Sequence, residues 1–214
     1  PINLMDLNNI DRIEVIKGPG ASIYGAGIGG VINLSGLPLS RKSNQSEVSY
    51  SGGSYGFHRF TANGTVQGNK HLLSIRFASL KTDGYREQSA LDRKTLQIQG
   101  SFELNEKQNL SLFSLYSDLY YQLPGGLTLA EFEANPRMAR PNAARQRSSI
   151  DNQNLLIGLS HDIQITENFS NTTSIYISDG HFENPFILNY KQDRFEGIGG
   201  RTRFNYHTDI GSVA

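Results

Sequence analysis

The 214 residues contain no cysteine, which excludes a disulfide framework and any cysteine-based metal site. An excess of charge of either sign is also lacking: 20 basic side chains balance 20 acidic ones, so no net field steers the chain toward nucleic acid or an anionic surface. Mean hydropathy is −0.42, and no apolar run approaches the ~18 residues that mark a transmembrane helix. That excludes a spanning helix but leaves room for a membrane barrel, whose strands interleave apolar and polar residues. The chain opens on Pro1 without a basic, apolar leader and stops at Ala214 in mid-pattern, so it reads as a piece of a longer protein.

Catalytic constellations are missing as well. The five histidines, His58, His71, His161, His181 and His207, are scattered one per strand or turn and form neither a metal-ligand spacing nor a Ser-His-Asp arrangement. No pair of carboxylates marks a cleft. The expectation is a protein that is not an enzyme and carries no resident metal or cofactor.

What is present is abundant Gly, Tyr, Phe, Ser, Asn and Thr with period-two alternation, the mark of an all-β chain. The clearest strand is 93–104, where Leu96, Ile98, Gly100, Phe102 and Leu104 alternate with Thr95, Gln97, Gln99, Ser101 and Glu103. One face is apolar and the other polar. Residues 109–117 are ambiguous, since Leu110 and Leu112 point one way and Phe113 and Leu115 the other. Alternation predicts strands at about 45–52, 57–67, 71–83, 93–104, 109–118, 151–163, 169–182 and 200–210. The links after the second, fourth and sixth are tight polar turns. Those after the third, fifth and seventh, 84–92, 119–150 and 183–199, are longer, whereas the first, 53–56, is short. A sheet with short turns at one rim and long loops at the other has the form of an outer-membrane barrel. Eight strands would leave two open edges, so a larger barrel is expected to complete them.

The opening carries the most specific signal. Gly25, Gly27 and Gly30 match the G-x-G-x-x-G spacing of a dinucleotide site. That site needs a helix whose N-terminus faces the phosphates, and Val31-Ile32-Asn33-Leu34 reads as a strand instead. Residues 10–33 as a whole, R-I-E-V-x-x-G-P-x-A-S-x-Y-G-x-x-x-G-G-V-I-N from Arg12 onward, resemble the end of the plug domain of TonB-dependent outer-membrane receptors. Lys17 stands where that family usually has arginine. The Asp83-Gly84-Tyr85-Arg86 run resembles a common feature of the same barrels.

The resemblance implies the C-terminal part of a plug over 1–40 and about eight antiparallel strands of a larger transmembrane β-barrel over 41–214. It implies a bacterial outer-membrane receptor that imports a ferric chelate, such as ferric citrate or a siderophore. Energy would come from the TonB complex acting through a plug region absent from this chain, with outer-membrane lipid and lipopolysaccharide as surroundings. Glycan, cobalamin or peptide cargo remains open, as does a passive porin or adhesin barrel, although the latter has no use for residues 10–33.

Candidate ligand contacts lie in the long fifth link. Tyr120 and Tyr121 lead into it, and Arg137, Arg140, Arg145 and Arg147 supply guanidinium forks suited to carboxylates. The same arginines also suit lipopolysaccharide phosphates or the neighbouring Glu131 and Glu133. Candidate plug–barrel contacts are Arg12, Glu14 and Lys17 against Glu47, Arg59, Arg76 and Glu103, where ion pairs in a partly dry interface would orient the plug.

Overall fold

The computed structural model describes residues 10–18, 29–36, 44–186, 188–208 and 211–213. Two sheets account for nearly all of them. β1 (Ile10–Lys17) and β2 (Gly30–Gly36) form an antiparallel pair. Cross-strand pairing places Ile13 beside Leu34 and Val15 beside Ile32 on one face, and Glu14 beside Asn33 on the other. Asn33 Nδ2 donates to Glu14 Oε2 at 2.9 Å. A strand therefore runs where a nucleotide-binding helix would be needed, while Gly25 and Gly27 lie outside the described residues. Gly30 sits at φ +128, and a side chain there would collide with the Ile16 carbonyl, so the start of β2 requires glycine.

The second sheet contains β3 (Gln45–Gly53), β4 (Phe57–Gln67), β5 (His71–Thr82), β6 (Leu91–Asn105), β7 (Gln108–Gln122), β8 (Ser149–Thr166), β9 (Phe169–Pro185), β10 (Tyr190–Thr208) and β11 (Gly211–Val213). Each pairs antiparallel with its sequence neighbour, from β3 at one edge to β11 at the other. Eight strands are long and the ninth has 3 residues. Two short helices, α1 (Leu129–Ala134) and α2 (Pro141–Arg145), interrupt the β7–β8 connection.

Register shows how the alternation is used. Ile75, Ile98, Ser114, Ile157, Ile177 and Ile198 follow one another across six strands in a single row. Their face is the exposed one: Ile75, Ile177 and Ile198 are 44%, 51% and 86% exposed. The opposite face is shielded and mixes polar with apolar residues, with Ser74, Thr95, Gln97 and Ser117 at 1% exposure or less beside Leu72 at 3% and Leu119 at 1%. It also carries a serine row, Ser101, Ser111, Ser160 and Ser174, in which Ser174 Oγ donates to Ser160 Oγ at 2.9 Å. A soluble sandwich would do the reverse, because each large aliphatic side chain left in water forfeits about 1.5–3 kcal/mol. The inversion is stable only if the apolar face meets lipid and the polar side chains shield one another within a curled wall. The ambiguous strand resolves on the same rule, with Leu110 and Leu112 on the lipid side and Phe113 and Leu115 inward.

Two expected boundaries are corrected. The connection 183–199, read as a long loop, shrinks to residues 186–189 because β9 continues to Pro185 and β10 begins at Tyr190. Residues 191–194 are polar on both faces, so alternation does not reveal them, yet the backbone ladder with β9 is unbroken. β8, β9 and β10 have 18, 17 and 19 residues, where about 9–11 tilted residues cross a bilayer. The surplus projects past the apolar band. The tight-turn rim agrees with expectation: β4–β5, β6–β7 and β8–β9 are joined by 68–70, 106–107 and 167–168.

Candidate functional site at the long-loop rim

Three connections meet at the opposite rim: 54–56, 83–90 and 123–148. The first two are tied through Tyr55, whose carbonyl accepts from the Asp83 amide at 2.8 Å and from Thr82 Oγ1 at 3.0 Å. Tyr55 takes a positive φ of 60°, an uncommon geometry for a bulky residue. It sets the ring edge-on to Tyr85, with centroids 5.5 Å apart.

Arg86 joins the second connection to the third. Its Nε and one terminal nitrogen donate to the Met138 carbonyl at 3.2 and 2.9 Å, and the other terminal nitrogen donates to the Gly125 carbonyl at 2.9 Å. One planar fork thus holds both limbs of the long connection. Around it, the Glu87 amide donates to the Arg137 carbonyl at 2.7 Å, the Ala139 amide to Glu87 Oε2 at 3.3 Å, and Gln88 Nε2 to the Ser148 carbonyl at 3.1 Å. Gly125 has φ +74, and a Cβ there would lie 2.9 Å from Arg140 Cβ, so only glycine allows the two limbs to close. The Arg140 amide donates to the Pro124 carbonyl at 2.8 Å and completes that closure.

The two helices are built locally. Thr128 and Glu131 form a reciprocal capping box at α1, with Glu131 Oε2 accepting from the Thr128 amide at 2.8 Å. That backbone bond first, then the Thr128 hydroxyl and the charge of Arg140, hold the Glu131 carboxyl below its ordinary range, outweighing slight desolvation. α2 starts at Pro141 and buries Ala143 completely. The Ser148 amide returns to the Ala143 carbonyl at 3.0 Å, and the Leu123 amide to the Ser148 carbonyl at 2.8 Å.

The expected ligand residues are not brought to one point. Tyr120 pairs with Asp92 and Asp151 on the outward face, whereas Tyr121 pairs with Leu91 and Ile150 on the inward one. Arg137 lies over the rings of both Tyr55 and Tyr85, at 5.5 and 5.6 Å from their centroids, and its Nε donates to the Tyr85 carbonyl at 3.1 Å. Its structure-building contacts are therefore within the rim. Arg140, Arg145 and Arg147 are exposed on the outer limb, and Arg145 donates to Asn142 Oδ1 at 3.2 Å.

The expected plug–barrel residues divide similarly. Arg12 pairs with Glu14 at 2.9 Å within the small sheet, and Lys17 is exposed on it. Glu47, Arg59, Arg76 and Glu103 all fall on the inward face by register. Glu47, Asn63 and Arg76 line one recess of about 590 Å³, and Arg76 donates to Gln99 Oε1 at 2.6 Å. Glu103 stands at the tight-turn rim beside Asp162 and Asn171, in a recess of about 760 Å³.

Sequence reasoning missed Tyr55, Glu87 and the part played by Arg86. The Asp83–Arg86 run was a visible signal for Arg86, and Thr128-x-x-Glu131 was a legible capping box. Nothing local marked Tyr55.

Comparison with known proteins places this geometry. Residues 1–31 match the TonB-dependent Receptor Plug Domain. A 79-residue stretch is 33% identical to the vitamin B12 transporter BtuB of Vibrio vulnificus (strain YJ016), covering 36% of this chain and 13% of that protein. The fold resembles the ferric citrate transporter FecA in its unliganded form, with TM-score 0.78, 16% identity, and coverage of 97% of this chain and 33% of that one. The siderophore receptor PiuA of Acinetobacter baumannii gives TM-score 0.78 at 15% identity, covering 96% and 33%. The ferric-catecholate import receptor Fiu of E. coli K12, in its open form, gives 0.72 at 18% identity, covering 95% and 37%. The chain thus spans roughly a third of each solved receptor and 13% of the BtuB relative, and the solved structures speak to fold alone. The chain resembles a segment of a TonB-dependent receptor: its opening matches the receptor plug, and its sheet has the fold of part of an outer-membrane receptor barrel wall.

Proposed function

We propose that the whole receptor imports a ferric chelate across the outer membrane with energy from the TonB complex, which engages a plug region outside residues 1–214. The plug would include residues 1–40, and 41–214 would form the barrel portion. The observation that carries this reading is the coexistence, on one chain, of a plug-type hairpin with a sheet that exposes its isoleucine row and shields its serines and glutamines. A passive pore has no need of the first, and a soluble protein cannot tolerate the second.

The long rim connection is the cargo-facing element in this reading. Arg140, Arg145 and Arg147 give it exposed guanidinium groups suited to carboxylate oxygens. Three structurally similar proteins are a ferric citrate transporter, a siderophore receptor and a ferric-catecholate import receptor, which supports an iron chelate. Cobalamin is the second reading, favoured by the 33% identity to BtuB.

Uptake in receptor-deleted cells expressing the full-length gene separates these readings. Radiolabelled ferric citrate, hydroxamate and catecholate chelates and cobalamin would be followed with and without a proton uncoupler. Accumulation of an iron chelate that collapses with the uncoupler is expected. Uncoupler-sensitive uptake of cobalamin alone would replace the cargo, and uptake indifferent to the uncoupler would sink active transport. For a carboxylate chelate, Arg140→Ala is expected to weaken binding directly, whereas Arg137→Ala would act by loosening the rim.

A further inference from the structure

We propose that Arg86 is a positioning residue: its guanidinium latches the 123–148 connection into a preformed shape, and the Tyr55–Arg137–Tyr85 stack is the second fastening of that latch. This rests on the reading of that connection as the cargo-facing element.

A connection of 26 residues between two strands would ordinarily be a mobile loop, because its backbone entropy is lost only if specific bonds offset it. Here the bonds converge on one side chain. Three donors of Arg86 serve carbonyls of Gly125 and Met138, 13 positions apart in sequence, and the fork comes from a different connection. The limbs are thereby fastened to each other and to the β5–β6 turn at the same time. Arg86 is half-buried, so its charge-assisted bonds are less diluted by solvent than those of an exposed arginine. The side chain also makes no contribution to the wall, since its bonds go to backbone of the long connection.

The second fastening repeats this logic with rings. Arg137 leaves the long connection, donates to the Tyr85 carbonyl, and lies over tyrosines contributed by both other connections. The cations left facing outward are Arg140, Arg145 and Arg147. Arg140 is set by its close approach to Gly125 and by the Pro124 carbonyl. The latch therefore determines where an outward cation stands without touching the cargo. Preforming such a surface lowers the ordering cost of binding.

Hydrogen exchange on the full-length receptor in detergent, with no cargo present, tests this. The amides of Glu87, Ala139 and Arg140 report the latched state, since Arg140 donates from one limb to the other and Glu87 and Ala139 bond between a limb and the β5–β6 connection. Arg86→Ala is expected to speed their exchange by about tenfold or more, as loss of charge-assisted bonds lowers the local opening free energy. Arg86→Lys retains the charge, but its single nitrogen cannot span two carbonyls as the fork does, so it should fail to restore protection. Amides of β5–β7 should stay at the wild-type rate. Wild-type exchange at the three amides in both variants would overturn the proposal. Equal acceleration in the wall strands would overturn it too, by making Arg86 a general stability element. In uptake assays, Arg86→Lys should raise the half-saturating concentration more than it lowers the maximal rate. Failure of the wild-type receptor to take up any iron chelate would strike the cargo reading and leave the exchange result standing.

Discussion

The two faces of the large sheet obey opposite rules, although they share every backbone hydrogen bond. The outward face carries Ile75, Ile98, Ile157, Ile177 and Ile198 in one row, while the next row inward carries Asn63, Arg76, Gln97, Leu115, Leu156 and Ser178. A one-residue slip of any strand would exchange these environments. The difference shows that the solvent on each side, rather than strand propensity, decides which residue a position accepts. The rims differ in a related way: turns of two or three residues close one, and side-chain bonds between separate connections build the other.

The largest expected effect comes from placing a charge on the wrong face. Ile177→Arg should destabilise the folded receptor in bilayers by about 2–4 kcal/mol, the cost of a cation near the bilayer midplane. Ser178→Arg, one residue along but turned inward, should cost far less. Folding titrations in urea, read by heat-modifiable gel mobility, would compare the pair, and equal losses would break the two-face account.

A smaller effect should follow from adding a methyl group at two strand glycines, Gly199 on the inward face and Gly64 on the outward one. The Tyr176 ring lies across Gly199, so an added Cβ would collide with it, whereas nothing lies within 4 Å of a Cβ at Gly64. Gly199→Ala should therefore cost about 1 kcal/mol or less, since the half-exposed Tyr176 ring must swing aside and gives up its contact, and Gly64→Ala should be close to neutral. The same titration, run on both variants, reads the contrast.

The smallest effect concerns the rim. The capping bonds of Glu131 hold its carboxyl below the ordinary range. A depressed carboxyl contributes order above its unfolded pKa and loses it as the pH falls through the folded value. The α1 amides should accordingly be protected at neutral pH and lose protection only below the usual carboxylate range. Glu131→Gln should remove that pH dependence. Hydrogen exchange across an acid series would check it, and a change centred near neutral pH would point to a different group.

Much of the wall was legible because period two is a local property. Leu96 to Leu104 alternate with Thr95 to Glu103 whatever surrounds them, and β6 runs in that register. Residues 191–194 defeated the same reasoning, since they are polar on both faces, leaving only the ladder with β9 to define them. The rim was harder still. Arg137 reads from sequence as a free cation, but its neighbours Tyr55 and Tyr85 are 82 and 52 positions away. No local pattern encodes such a meeting.

The sequence by itself determined the all-β class, the plug-like opening and the two unlike faces, because spacing, glycine placement and alternation are written residue by residue. Only the tertiary structure decided which arginines build the rim and which face outward. That choice depends on carbonyls and rings from three separate connections converging on Arg86 and Arg137, a geometry that exists only after the strands have set their register.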